Sequence, residues 1–471
     1  MILSFQPGTL PAANGWLRSS RQVSPLSLSK SNLQTVRFSA QTVPSNDPLS
    51  LNDRYLSDEE TVATYVTAFD EHADPKTDML KVNGELTITP PKQFITPYKS
   101  KRSNLIVSGT KRLKDRIAET YQAQGLPIKG EQIVLTTEFR SLLGGLYRVL
   151  DGDIMLATPF WPYFKTLAKD HGKQVYEIPT SGQTGITLST LKSTYEQAVK
   201  KPRILLIHNP SDINGLISDN SDVEAIADFC KKNNIVIFNI QSFFVYPDFH
   251  DHKDFASLYP EGTITINNTT KDALGLNKYG IGWAVVPNTS KGRTLMNRLK
   301  DLKTLKAPTA AEAGKNVEML EYVDTMVRFH HLRTQFLYRE FGKMGLAGPR
   351  PLFTPNMLIS FKKYKKILEK IRVHNDKDLQ KFLLKKIGIG TLPGSLFNLP
   401  EEDMFLRIST GNLDPGALNG WVDSWKTARY MNEKTHPELH SVVKKFRALT
   451  QKLDDVSTGA SKTEGMGRSS V

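Results

Sequence analysis

Lys271 lies just beyond a β-branched run, Thr263-Ile264-Thr265-Ile266-Asn267, and directly after a hydroxyl pair, Thr269-Thr270. Beyond it comes a glycine-bearing stretch, Leu274-Gly275-Leu276-Asn277-Lys278-Tyr279-Gly280-Ile281-Gly282-Trp283. A lysine at a strand end, partly withdrawn from water, gives up its proton more readily and becomes a nucleophile toward a carbonyl. That placement suits a Schiff-base lysine; a solvated surface amine is the plain alternative. Trp161, His208-Asn209 and Asn239 also fall just after or at the ends of apolar runs. His250-Asp251-His252 offers imidazoles, but a solvated polar loop accounts for it and no metal is expected. His330 and His331 are adjacent on a helical pattern, so their side chains diverge. Gly280-Ile281-Gly282 lacks the third glycine and following helix of a dinucleotide fingerprint, and neither a P-loop nor a Gly-x-Ser-x-Gly elbow occurs.

The elements that must position these residues alternate in kind. Strands are expected at 133–136, 154–157, 174–178, 204–207, 235–238, 263–267 and 282–286, several of them continuous apolar runs suited to burial on both faces. Between them lie helical patterns such as 222–232, where Val223, Ile226, Ala227 and Cys230 recur at helical spacing, with Asp222 and Glu224 early and Lys231-Lys232 late, as the helix dipole favours. This predicts an α/β fold: a large domain with a mainly parallel seven-stranded sheet sandwiched by helices. Ligands of such sheets bind beyond the carboxyl ends of the strands, so Trp161, His208-Asn209, Asn239 and Lys271 could converge on one crevice. After position 306 the pattern changes to a long helix through Val317, Leu320, Val323, Met326 and Val327 toward Leu337. A strand at 357–361, a charged helix at 376–386 and a strand at 405–409 follow. That reads as a smaller α+β domain. The expected divisions are 1–46 a disordered or targeting tail, 47–105 an N-terminal arm, 106–305 the large domain, 306–445 the small domain and 446–471 a flexible tail.

Composition narrows the classes. With 471 residues, 39% hydrophobic and 23% charged, the chain suits a globular protein of two or three domains. No apolar run is long enough to span a membrane. One cysteine, Cys230, allows no intrachain disulfide and no cysteine zinc site, which points to a reducing compartment. The 62 basic residues against 48 acidic give +14, but the charge is scattered in runs such as Lys362-Lys363-Tyr364-Lys365-Lys366, which weighs against a nucleic-acid partner. The first 46 residues hold no Asp or Glu and carry Arg18, Arg21, Lys30 and Arg37 among many serines. The expected location is cytoplasmic, or a mitochondrion or plastid if residues 1–46 are a transit segment.

An ordered series of motifs resembles the class I/II aminotransferases, the fold type I pyridoxal-phosphate enzymes, over about 80–430. Gly109-Thr110-Lys111-Arg112-Leu113-Lys114 resembles the family's glycine before Leu-Arg, and Asp151-Gly152-Asp153 its Pro-Gly-Asp turn. Pro159-Phe160-Trp161-Pro162-Tyr163 resembles its Pro-x-Tyr-Pro segment. Asn209-Pro210-Ser211-Asp212-Ile213-Asn214-Gly215 resembles Asn-Pro-x-Asn-Pro-Thr-Gly. Thr270-Lys271 resembles Ser-Lys, and Leu392-Pro393-Gly394-Ser395 with Phe405-Leu406-Arg407-Ile408-Ser409 resembles the C-terminal pair. The resemblance implies pyridoxal 5'-phosphate as cofactor, an amino acid and a 2-oxo acid as substrates, and a homodimer. It also implies Lys271 as the Schiff-base lysine, Trp161 stacked on the pyridine ring, and Thr269 and Thr270 on the phosphate with Lys278 as the nearest cation. Arg407 would hold the substrate carboxylate, a task its fork suits.

Several positions depart from that pattern. Asp212 stands where an asparagine bonds the cofactor's phenolic oxygen, and an ionised carboxylate has no proton to donate. Asn239 stands where an aspartate pairs with the ring nitrogen; a neutral amide stabilises a pyridinium less. Ser242 replaces a tyrosine, Gly280 an arginine, and Glu138 enters the phosphate loop. These departures leave three expectations open: amino transfer through altered contacts, a catalytically degenerate binding or structural protein on the same fold, or a pyridoxal-phosphate lyase or decarboxylase.

Overall fold

The apolar runs assemble into one sheet. In the computed structural model, β1 (Ile133–Thr136), β2 (Ile154–Ala157), β3 (Val175–Ile178), β4 (Ile204–His208), β5 (Val236–Gln241), β6 (Thr263–Asn268) and β7 (Gly282–Val285) lie in the order β1-β7-β6-β5-β4-β2-β3. The pairs β2–β3, β2–β4, β4–β5 and β5–β6 are parallel; β7 runs antiparallel to both β1 and β6. The structure describes residues 111–136, 139–241, 252–268, 282–302, 305, 317–346, 348–352, 354–411, 413–414 and 431–458. Thr269, Thr270, Lys271 and Lys278 lie outside them, as do Glu138, Ser242, Gly280 and the expected tail and arm at 1–105.

Helices cover both faces, which is why several strands, β2 and β4 above all, are continuous apolar runs. On one face Leu156, Leu206, Phe238, Ile240 and Ile264 pack with α2 (Phe139–Val149), α3 (Pro162–Asp170) and α7 (Ser290–Lys300) through Leu142, Phe164 and Leu299. On the other, Met155, Leu205, Ile207 and Ile237 meet α4 (Leu188–Gln197), α5 (Asn220–Lys232) and α6 (Phe255–Leu258) through Leu191, Val223, Ile226 and Phe255. α1 (Lys111–Ala123) covers β1 and β7 through Ile117 and Tyr121. Each such aliphatic or aromatic side chain, fully buried, contributes ~1.5–3 kcal/mol. Side chains alternate along a strand, so Asn239 and Gln241 share the α5–α6 face with Ile237. β5 therefore continues past the expected 235–238, because the ladder to β4 and β6 pairs its polar residues too.

The second sheet holds β8 (Asn356–Ser360), β9 (Leu392–Pro393) and β10 (Phe405–Ser409) in the antiparallel order β8-β10-β9, with Arg407 opposite Leu358 and Leu392. α8 (Val317–Lys343), α9 (Lys365–Lys370), α10 (Asp376–Ile387) and α11 (Pro437–Ser457) accompany it. Local signals set α10: Asn375 accepts from the Asp378 N–H at 2.9 Å, and Gly388 at φ 65° ends the helix. The flexible tail expected from 446 is corrected here. Residues 446–457 form the second half of α11, and Val442, Phe446, Leu449 and Leu453 recur on one face and are buried with Phe341 and Phe361. Among the described residues no helix is long and apolar enough to cross a membrane.

Candidate active site

Three neighbouring strands deliver the site. β2 ends at Ala157, and the chain passes a cis Thr158–Pro159 bond to Trp161, which caps α3 ahead of Pro162. β4 ends at His208, followed by a cis Asn209–Pro210 bond and a tight loop. Asn209 Oδ1 accepts from the Ser218 N–H at 2.9 Å, and the Gly215 N–H donates to the Ser211 carbonyl at 3.1 Å. Gly215 has φ +74°, and a Cβ there would lie 2.6 Å from Pro351 and Thr354, so this position needs glycine. The loop is fastened to the second sheet at Asp212. Its backbone carbonyl accepts from Asn356 Nδ2 at 2.9 Å and Arg407 Nη2 at 3.2 Å.

The Asp212 side chain is partnered as a carboxylate. Trp161 Nε1 donates to its two oxygens at 3.2 Å each, and His208 Nδ1 lies 3.1 Å from Oδ1. A carboxyl 5% exposed needs such partners, since burying an unpaired charge is costly. An asparagine, with one oxygen and one NH2 group, could not accept at both positions. Arg407, 2% exposed, lies with its guanidinium carbon 5.2 Å from the Trp161 ring centre and 5.9 Å from that of Phe397. Trp161 meets Phe397 edge-on at 5.0 Å. A desolvated cation over aromatic faces gains about 2 kcal/mol, which holds the guanidinium in place. Burial, and then the Asp212 charge, push the Tyr163 hydroxyl far above its ordinary range.

Asn239 lies across the ladder from Ile207, next to the strand that carries His208. It is 1% exposed. Its Nδ2 donates to Asp254 Oδ2 at 3.5 Å, and Gln241 Nε2 donates to the same oxygen. Asp254 Oδ1 accepts from the Ala256 N–H at 2.6 Å at the start of α6. Burial raises the Asp254 carboxyl above its ordinary range, opposed by the bonds from Ala256 and Gln241. Asn239 Oδ1 is buried and accepts from nothing among the described residues.

The structure thus joins Trp161, Asp212 and Arg407 directly and sets Asn239 one strand away. His208 was visible at a strand end without a role. Phe397, Asn356 and Asp254 were not singled out, because nothing local in the sequence marks a distant partner, 15 positions away for Asp254 and 144 for Asn356. β6 ends at Asn268, and Lys271 lies beyond the described residues. Among those residues no group of three or more His, Cys, Asp or Glu could hold a metal.

Residues 100–423 match the family model for aminotransferase class I and II. The chain belongs to this family. Among curated relatives it is 24% identical to a probable aspartate/prephenate aminotransferase of Aquifex aeolicus, over 64% of this chain and 77% of that one. It is also 24% identical to an asparagine–oxo-acid transaminase of Streptococcus mutans, over 75% of this chain and 93% of that one. The structure of Thermus thermophilus aspartate aminotransferase with maleate superposes with a TM-score of 0.64 at 18% identity, covering 81% of this chain and 100% of that one, and so shares the fold. The protein is an aminotransferase-family enzyme, and members of the family use pyridoxal phosphate. The residues fit that cofactor at Asn239, whose buried oxygen accepts from no donor among the described residues and could take one from a protonated ring nitrogen.

Proposed function

We propose that this enzyme transfers an amino group between an amino acid and a 2-oxo acid. The observation that carries the reading is that Trp161, beyond β2, and Arg407, on β10, meet at the Asp212 loop beyond β4, with Asn239 one strand away on β5. Pyridoxal phosphate, when bound, supplies the electron sink for a substrate carbanion. Lys271 would hold it and, as a free amine, take the proton from the substrate α-carbon. Trp161 would stack on the ring, while Thr269, Thr270 and Lys278 would hold the phosphate. Arg407 would take the α-carboxylate, its charge positioned by the two aromatic rings. Asp212 would not serve the phenolic oxygen as a donor; it orients the Trp161 indole and pairs with His208. The reading extends to a homodimer, to a large domain at 106–305 with a small one at 306–445, and to a cytoplasmic or organellar setting.

The test is ketoacid-dependent amino transfer by the purified protein with pyridoxal phosphate, and borohydride trapping at Lys271. Lys271→Ala should abolish both; wild-type activity in that variant sinks the proposal. A second reading, a catalytically degenerate relative, draws on one observation: the Asp212 carboxylate is already engaged by Trp161 and His208. Turnover with stoichiometric cofactor eliminates it. A lyase or decarboxylase would instead appear in product analysis.

A further inference from the structure

We propose that Asp254 is a positioning residue for the cofactor's ring nitrogen, acting through Asn239. The inference rests on the functional reading above, in which residue 239 meets that nitrogen. An asparagine can offer either an N–H or an oxygen, and which it offers depends on what the other end binds. Here the other end faces a carboxylate, 3.5 Å away. Asn239 Nδ2 donates to Asp254 Oδ2, the oxygen that also receives Gln241 Nε2, while Asp254 Oδ1 is occupied by the Ala256 N–H. The remaining atom, Asn239 Oδ1, is buried and accepts from nothing among the described residues. The amide therefore presents an acceptor, which pairs with a protonated ring nitrogen and not with a neutral one. A carboxylate on the far side of an amide also polarises it and strengthens its oxygen as an acceptor. The negative charge that the family places directly at this position is, in this chain, one amide removed.

Asp254 also caps α6, so its removal must spare that task. Asp254→Asn does, because asparagine caps a helix as well as aspartate, yet it cannot bring a charge to Asn239. The experiment loads the full-length protein with pyridoxal phosphate labelled with ¹⁵N in the ring and reads the ring-nitrogen shift, which reports protonation independently of turnover, together with cofactor affinity. The wild type should show a protonated nitrogen. Asp254→Asn should shift it toward the neutral form and weaken binding roughly tenfold, the size of one lost charge-assisted bond. Asn239→Leu, which leaves Asp254 and α6 untouched, should do the same. The exchange Asn239→Asp with Asp254→Asn should restore protonation and affinity. A protonated nitrogen at unchanged affinity in both single variants overturns the inference and leaves the functional reading standing. A wild type that binds no cofactor overturns both.

Discussion

On the proposed reading, two regions of the candidate site exchange chemistry with each other: a carboxylate at 212 takes the place of the amide that the resemblance implies, and an amide at 239 that of the carboxylate. Their surroundings differ. Asp212 is closed: Trp161 and His208 meet its oxygens, and its backbone carbonyl takes two donors from the second sheet. Asn239 is open: one end is tied to Asp254 and the other accepts from nothing described. A closed polar group stabilises the protein without a ligand, whereas an open one costs stability until something donates to it. The exchange thus separates a residue that builds the site from one that waits for a partner.

The largest expected effect sets the baseline for that contrast. Burial, reinforced by the nearby Arg333 charge, pushes His330 down to about 3 and His436 to about 4. Both are neutral when folded, while the unfolded chain binds their protons below about 6.5. Stability is therefore complete above that pH and falls as pH drops through the window toward 3–4, by about 2 kcal/mol per histidine at pH 5. Urea unfolding at pH 7 and pH 5 should show this loss, and His330→Leu should remove about half of it. An equal midpoint at the two pH values would contradict the buried neutral state.

At fixed neutral pH the contrast itself can be broken. Asp212→Ala should cost the apo-protein about 3 kcal/mol, since it removes both acceptors of the buried Trp161 N–H and the carboxylate beside the His208 ring. Urea midpoints measure this, and a loss under ~1 kcal/mol would mean that Asp212 is not closed. Asp212→Asn, which keeps one acceptor, should cost only about 1 kcal/mol. Asn239→Leu should be the mildest, within about 1 kcal/mol for the apo-protein, because it removes an unsatisfied acceptor along with a donor of 3.5 Å reach. If it proves as costly as Asp212→Ala, the oxygen of Asn239 has a structural partner and the contrast fails.

Much of the fold was legible because its signals are local. Runs such as Ile204-Leu205-Leu206-Ile207 are apolar throughout because they face helices on both sides, and the structure makes them strands. α10 carried its start and stop in Asn375 and Gly388. α11 escaped because Lys444, Lys445, Arg447 and Lys452 make its sequence look like a solvated tail, although its buried residues keep helical spacing. In the candidate site, Trp161, Asp212 and Arg407 were singled out through the order of their motifs. Phe397, Asn356 and Asp254 lie in segments whose local composition carries no sign of chemistry.

By itself the sequence determined the family, the strands of the large sheet, and the residue types at 161, 212, 239, 271 and 407, because periodicity and motif order are written along the chain. Only the tertiary structure decided how those types are used. That Asp212 serves Trp161 and His208, that Arg407 lies against two aromatic rings, and that Asp254 fixes which end of Asn239 is open all depend on side chains brought within a few ångströms from distant positions. Hydrogen bonds and desolvation act over such distances in space and take no account of separation along the chain.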